Sequence, residues 1–209
     1  MHGLQTNNVI FECVQVQETE GGLCLHECLF IITNSGGVVE PVEGVAAIAR
    51  VGFFISKYNA YRFNKRKEDD ASIRKWLATK LESAKGHALN VLASARQKDN
   101  ADLASTMNTL IDEIDIFKND AYLAETGIKG RLFAAKSAAS VASLSKLIEY
   151  DARILEEVER ATRAIAELEK AIAAGEENVV GGAMRLSSAF TTAHAHFRER
   201  VKYIRGFGD

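Results

Sequence analysis

The feature that most constrains this fold is where alanine stands. Residues 1–45 contain none, and all 30 alanines of the 209-residue chain lie from Ala46 onward. The single proline, Pro41, sits just before that switch. Alanine is the best helix former and proline the worst, because proline lacks an amide hydrogen and clashes with the preceding turn. An average chain of this length would carry roughly ten prolines. The alanine-rich part therefore reads as long, uninterrupted helices. This bias argues against a proline-punctuated β-sandwich, a collagen-like repeat and a disordered chain. The same boundary divides the chain into an N-terminal β-hairpin segment (1–40), an apolar helix with a basic-aromatic end (41–67) and a helical bundle (68–209).

Within the first segment, Val9 to Val16 and Leu23 to Thr33 are rich in β-branched and aromatic residues. Between them lies Glu18-Thr19-Glu20-Gly21-Gly22, with the glycines a tight turn wants, and Asn34-Ser35-Gly36-Gly37 ends the second stretch. Both alternations are apolar, with Phe11, Phe30 and Ile32 on one face and Val14, Val16, Leu25, Leu29 and Ile31 on the other. Strands of that kind need cover on both sides. A lone hairpin is marginal in water, so this one is expected to dock on the helices, on a third strand or on another subunit.

Pro41 suits a helix opening, and Val42 to Phe63 is apolar almost all round, as in a helix that is buried or lies at an interface. Asp69 and Asp70 are first-turn acids ahead of the stripe Ile73, Leu77, Leu81, Ala84, Ala88, Val91 and Ala95. Asp99-Asn100 supplies the next cap, before Leu103, Met107, Leu110, Ile114, Phe117 and Ala121; Gly127 fits a C′ position. Ile128 to Ala174 reads as one helix or two. Its last thirty residues carry Leu144, Leu147, Asp151, Ile154, Val158, Ala161, Ile165, Leu168 and Ile172 at 3-4 spacing, with Asp151 the polar exception. Gly175 ends it, and a last helix from Val179 to Arg205 presents Leu186, Phe190, Ala193, Phe197, Val201 and Ile204. Short connections near Asn100, Gly127 and Gly175 predict antiparallel neighbours. The expected fold class is mainly α: an antiparallel helical bundle with long coiled-coil-like helices and a short N-terminal β-hairpin.

Three groups of residues carry chemical leads. Cys24, His26 and Cys28 alternate along one strand face, and Cys13 joins them if the turn has two or four residues. Three thiols and an imidazole are a tetrahedral zinc set, yet three same-face strand residues span about 13 Å and cannot easily meet one ion. Packing as small apolar groups is the favoured reading, ahead of metal binding or redox chemistry. Next, Phe53, Phe54, Tyr58 and Tyr61 are interleaved with Lys57, Arg62, Lys65, Arg66 and Lys67. Residues 1–56 hold six acids and one base, a net of −5, while residues 57–67 hold five bases and no acid, a net of +5. Rings and cations together suit an anionic membrane surface. They also suit single-stranded nucleic acid, which a net charge of −2 disfavours. The plainer reading is a core helix followed by a solvated basic end. Finally, the stripe Leu144, Leu147, Ile154, Val158, Ile165, Leu168 and Ile172 suits self-association.

His194 and His196 are two apart, about 200° around a helix, and paired metal ligands want i, i+4. His87 reads as a boundary residue, and Asp112, Glu113 and Asp115 as a solvated face. Neither phosphate-loop, dinucleotide, serine-hydrolase nor zinc-protease spacing occurs, so no residue is assigned a catalytic role and no cofactor is expected. The start of the chain lacks signal-peptide character, and the longest nearly uncharged run, 44–56, is 13 residues interrupted by Arg50. A bilayer span needs about 20. Three cysteines do not read as a secreted disulfide scaffold, so a cytoplasmic location is expected. The functional expectation is a non-enzymatic interaction or assembly module, homo-oligomeric through the long helix, the hairpin or both, with a protein partner met by a helix face or the hairpin edge. The alternatives are a peripheral membrane-associated, membrane-remodelling or pore-forming protein using residues 45–67, and a metal or redox protein at the cysteines.

Overall fold

The computed structural model describes residues 43–124, 141–176 and 179–206. They form α1 (Glu43–Phe54), α2 (Arg66–Gln97), α3 (Ala101–Leu123), α4 (Val141–Ala173) and α5 (Val180–Gly206), with a 3-10 turn at Phe63–Lys65 ahead of α2. The hairpin expected over 1–40 and the stop at Gly127 lie outside the described residues.

The helix ends follow local chemistry. Asn100 caps α3 by accepting from the Leu103 amide at 3.0 Å, satisfying a donor that has no partner inside the helix. Gly175 takes the left-handed conformation, φ 88°, after α4. The Glu176 amide then closes on the Ala171 carbonyl and the Gly175 amide on that of Ile172, which is why glycine is wanted there.

The predicted stripes form one core. Leu77, Leu81, Met107, Ile114, Phe117, Ile154, Val158 and Ile165 are all closed to solvent. Helix α2 packs on α3 and α4, α5 packs on the same two, and α1 lies against α4. Helices α2 and α3, and likewise α4 and α5, run antiparallel, as expected: Lys85 meets Asp115 while Glu82 meets Lys118, and Glu157 meets His196 while Asp151 meets Arg200. Two further neighbouring pairs, α2–α4 and α3–α5, are parallel, a departure from a wholly antiparallel bundle. Lys80 and His87 of α2 face Glu159 and Glu169 of α4, and Glu113 and Asp120 of α3 face Ser187 and His194 of α5. Short connections dictate direction only within the hairpins α2–α3 and α4–α5; these two units then pack side by side.

The apolar segment after Pro41 is not one helix to Phe63. Helix α1 stops at Phe54, and the backbone of Lys57, Ala60 and Tyr61 enters the left-handed region, φ 67°, 52° and 57°. That region costs about 1–2 kcal/mol per residue bearing a Cβ. What offsets the cost is a buried polar cluster beneath the loop.

Candidate functional site

Three of the apolar stripes carry buried charge, and one charge from each meets at a single point. Asp70 lies in the first turns of α2, Asp151 inside α4 and Arg200 near the end of α5. Arg200 is 1% exposed. Its Nε donates to Asp151 Oδ1, and its Nη2 donates to Asp70 Oδ1 at 2.8 Å and to the Tyr61 hydroxyl at 2.7 Å. That hydroxyl in turn donates to Asp151 Oδ2 at 2.7 Å. Arg74 supplies the second cation, donating to Asp70 Oδ2 at 2.9 Å. Two carboxylates and two guanidinium groups leave the cluster electrically balanced, the condition under which buried charge is tolerated.

Asp69, on the next position of α2, holds the strained loop. Its Oδ1 accepts from the Asn59 backbone and side-chain amides, both at 3.0 Å, and its Oδ2 accepts from the Tyr61 amide at 2.8 Å. Tyr58 stacks edge-on against Tyr61, 5.9 Å between centroids. Among the described residues the buried Tyr58 hydroxyl has no hydrogen-bond partner.

Burial pushes the Asp151 carboxyl up to about 6, against the opposing pull of Arg200 and of the Tyr61 hydrogen bond. Burial also raises the Tyr61 and Tyr58 hydroxyls, so both stay protonated. It would by itself weaken the charge on Arg200, but Asp151, Tyr61 and Asp70 outweigh it and fix the guanidinium as a cation. The cluster is closed to solvent and offers no exposed nucleophile. What it does chemically is fasten the α1–α2 loop, α2, α4 and α5 to one point.

The described histidines fasten the seams. His87 Nδ1 lies 2.5 Å from Glu169 across α2 and α4. His196 Nδ1 lies 2.7 Å from Glu157 across α5 and α4. His194 Nε2 lies 2.7 Å from Asp120 across α5 and α3, its ring stacked on Phe117 at 4.7 Å. The 200° between His194 and His196 thus points them at different helices. Of the expected solvated acids, Asp115 is bound by Lys85 and Lys118, and Glu113 accepts from Ser187. Among the described residues no group of three His, Cys, Asp or Glu is arranged to hold a metal, and no helix is long and apolar enough to cross a membrane. Cys13, Cys24, His26 and Cys28 lie outside the described residues.

The basic-aromatic segment does not form one surface. Tyr61 and Arg66 are buried, Arg66 donating to the Tyr61 carbonyl at 3.1 Å with its guanidinium 5.3 Å from the Phe63 ring. Phe54 is half-buried against Trp76, 5.2 Å between centroids. Lys65 pairs with Glu68 at 2.7 Å. Phe53, Lys57, Arg62, Phe63 and Lys67 face solvent. The stripe read as a self-association seam is interior: Leu147, Ile154, Val158, Ile165, Leu168 and Ile172 are buried and Leu144 is partly so. Helix α4 is lined by α1, α2 and α5, so this stripe is spent within the chain.

Comparison with protein-family models, with curated proteins and with solved structures finds no match to the chain.

Proposed function

We propose that this chain is a non-enzymatic interaction module that self-associates through the outer surface of its helices rather than through the α4 stripe. The observation that carries the reading is the end of α3, where Tyr122 is 77% and Leu123 73% exposed. They adjoin an open groove of about 740 Å³ between α2 and α3, lined by Ala71, Ala78, Ala121 and Tyr122 together with the polar side chains of Arg74, Lys75, Thr79, Glu82, Ser83, Lys118 and Asn119. Large apolar side chains grouped at such a groove are what a partner surface offers. Sedimentation at tens of micromolar tests this. An oligomer is expected, with the paired variant Tyr122→Glu, Leu123→Glu shifted to monomer at unchanged helicity. A strictly monomeric natural chain overturns the reading.

A second reading is a peripheral protein of an anionic membrane surface, favoured by exposed Phe53 and Phe63 among the outward Lys57, Arg62 and Lys67. Flotation on vesicles with and without anionic lipid separates the two. No binding, or binding indifferent to Lys57, Arg62 and Lys67 replaced by Glu, sinks this alternative. Both readings place the chain in the cytoplasm, in the second case at a membrane.

A further inference from the structure

Helix α1 is covered on one side only. Ala47, Val51 and Ile55 are buried toward α4, and Arg50 ties that side to Glu156 with two hydrogen bonds of 2.7 Å. The opposite arc carries Ala46, Ile48, Ala49, Gly52 and Phe53, all exposed, with no charged side chain among them and Phe53 75% open. A Cβ placed on Gly52 would meet nothing within 4 Å. A helix apolar around its whole circumference is a buried helix, so this arc lacks its cover.

We propose that the cover is the chain's own N-terminal segment, residues 9–33, lying over the outer arc of α1. Three observations select this occupant. Only the nine residues 34–42 separate the segment from α1 at Glu43, and Asn34-Ser35-Gly36-Gly37 among them suit a reversal of the chain onto that helix. At that tether length the local concentration is millimolar, far above that of any free partner. The segment is apolar on both alternations and needs a surface to bury against, while α1, about 18 Å long, is spanned by five or six extended residues. Charge agrees as well. Glu12, Glu18, Glu20 and Glu27 are its only charged residues, while the loop just after α1 exposes Lys57 and Arg62 and the first turn of α2 exposes Lys67. The inference goes beyond the self-association reading and competes with the membrane reading for the same cations.

The three cysteines, Cys13, Cys24 and Cys28, all lie in the segment, so one added thiol on α1 reports its position. The full-length G52C variant is treated with a short bismaleimide, and products are identified by peptide mass spectrometry and by size. An I116C variant on the exterior of α3 is the control. The expected result is a crosslink within one chain, from position 52 to a native cysteine, at a yield at least about tenfold above the control. Adding Lys57→Glu and Arg62→Glu to G52C is expected to lower that yield. Equal yields in G52C and the control, a main product of twice the chain mass, or a yield indifferent to the two charge reversals would each overturn the proposal. If G52C loses helicity, S56C carries the same comparison. A monomeric chain that still gives the intrachain product refutes self-association alone.

Discussion

Arg200 of α5 and Asp151 of α4 form an ion pair from which water is excluded, and each also serves another partner, Asp70 for the arginine and the Tyr61 hydroxyl for the aspartate. Such a pair is better judged by what its loss leaves behind than by its own attraction. Arg200→Met leaves Asp151 without a cation in the interior and Asp70 with Arg74 alone, and about 3–5 kcal/mol of stability is expected to go with it. Asp151→Asn added to Arg200→Met removes the stranded charge. The double variant is therefore expected to be more stable than the sum of the two single losses implies, by roughly 1 kcal/mol or more. Urea denaturation of the four proteins decides it, and strict additivity would contradict a shared cluster.

The pH dependence of that pair runs opposite to a surface salt bridge. Burial holds the folded Asp151 carboxyl near 6, above its ordinary value of 3.8, so the folded chain takes up this proton before the unfolded one does. The contribution of Asp151 to stability therefore rises as pH falls through 6 and levels off below about 4, by on the order of 3 kcal/mol. Asp115, Asp120, Glu159 and Glu169, held low by their cationic or histidine partners, pull the other way as they protonate. The difference between the natural chain and Asp151→Asn isolates the effect. On acidification from pH 7 to 4.5, the natural chain is expected to gain stability relative to the variant.

The helices were legible because their stripes are regular. The Asn100 cap and the Gly175 stop are chemical signals that act within a few residues, and both appear where the sequence puts them. The cluster was only half legible. Asp151 stands out in its stripe, but Arg200 holds the 3-4 position between Phe197 and Ile204, where an apolar reading passes instead to Val201. Likewise Asp70 precedes Ile73 and Leu77 at core spacing and looks like a first-turn acid. Charge at core spacing in each of three stripes, with opposite signs available across stripes, is a pattern that would have located the site. Which charges meet depends on the packing of α2 beside α4 as a parallel pair, a contact between elements distant in sequence that spacing alone does not encode. The break after Phe54 was hidden for the same reason, since the left-handed loop is held by Asp69 from the following helix.

Asp69 gives the loop its shape. Its carboxylate gathers three N–H groups from Asn59 and Tyr61 while Ala60 between them sits at φ 52°. Asp69→Ala is expected to cost about 2–3 kcal/mol, since buried donors lose a charged acceptor. The amide of Tyr61 should then exchange with solvent faster. Ala60→Gly removes the left-handed penalty at the price of a more flexible unfolded chain, and a net gain of up to about 1 kcal/mol is expected. Thermal unfolding and amide exchange of the two variants check the pair. A destabilised Ala60→Gly, or a Tyr61 amide as protected in Asp69→Ala as in the natural chain, would show that something else holds the loop.

His194 allows the seam between α3 and α5 to be tested by titration. Burial against Phe117 lowers its pKa below 6.5, Asp120 and Glu113 oppose that shift, and Arg198 adds to it. A depressed imidazole contributes stability that is fully present above 6.5 and is lost as pH falls through the folded value, because the folded state resists the proton that the unfolded state accepts. Asp120→Asn removes an attractive partner and is expected to lower the His194 pKa further and steepen the loss. Arg198→Gln removes a repelling charge and should raise the pKa and soften it. NMR titration of the ring resolves both directions in one experiment. A general field from the two opposite changes in net charge would move His194 in these same directions but less, so the shifts are read against that of a distant charge removal, Asp102→Asn. A pKa that rises in Asp120→Asn would thus remove His194 from the fastening of α5.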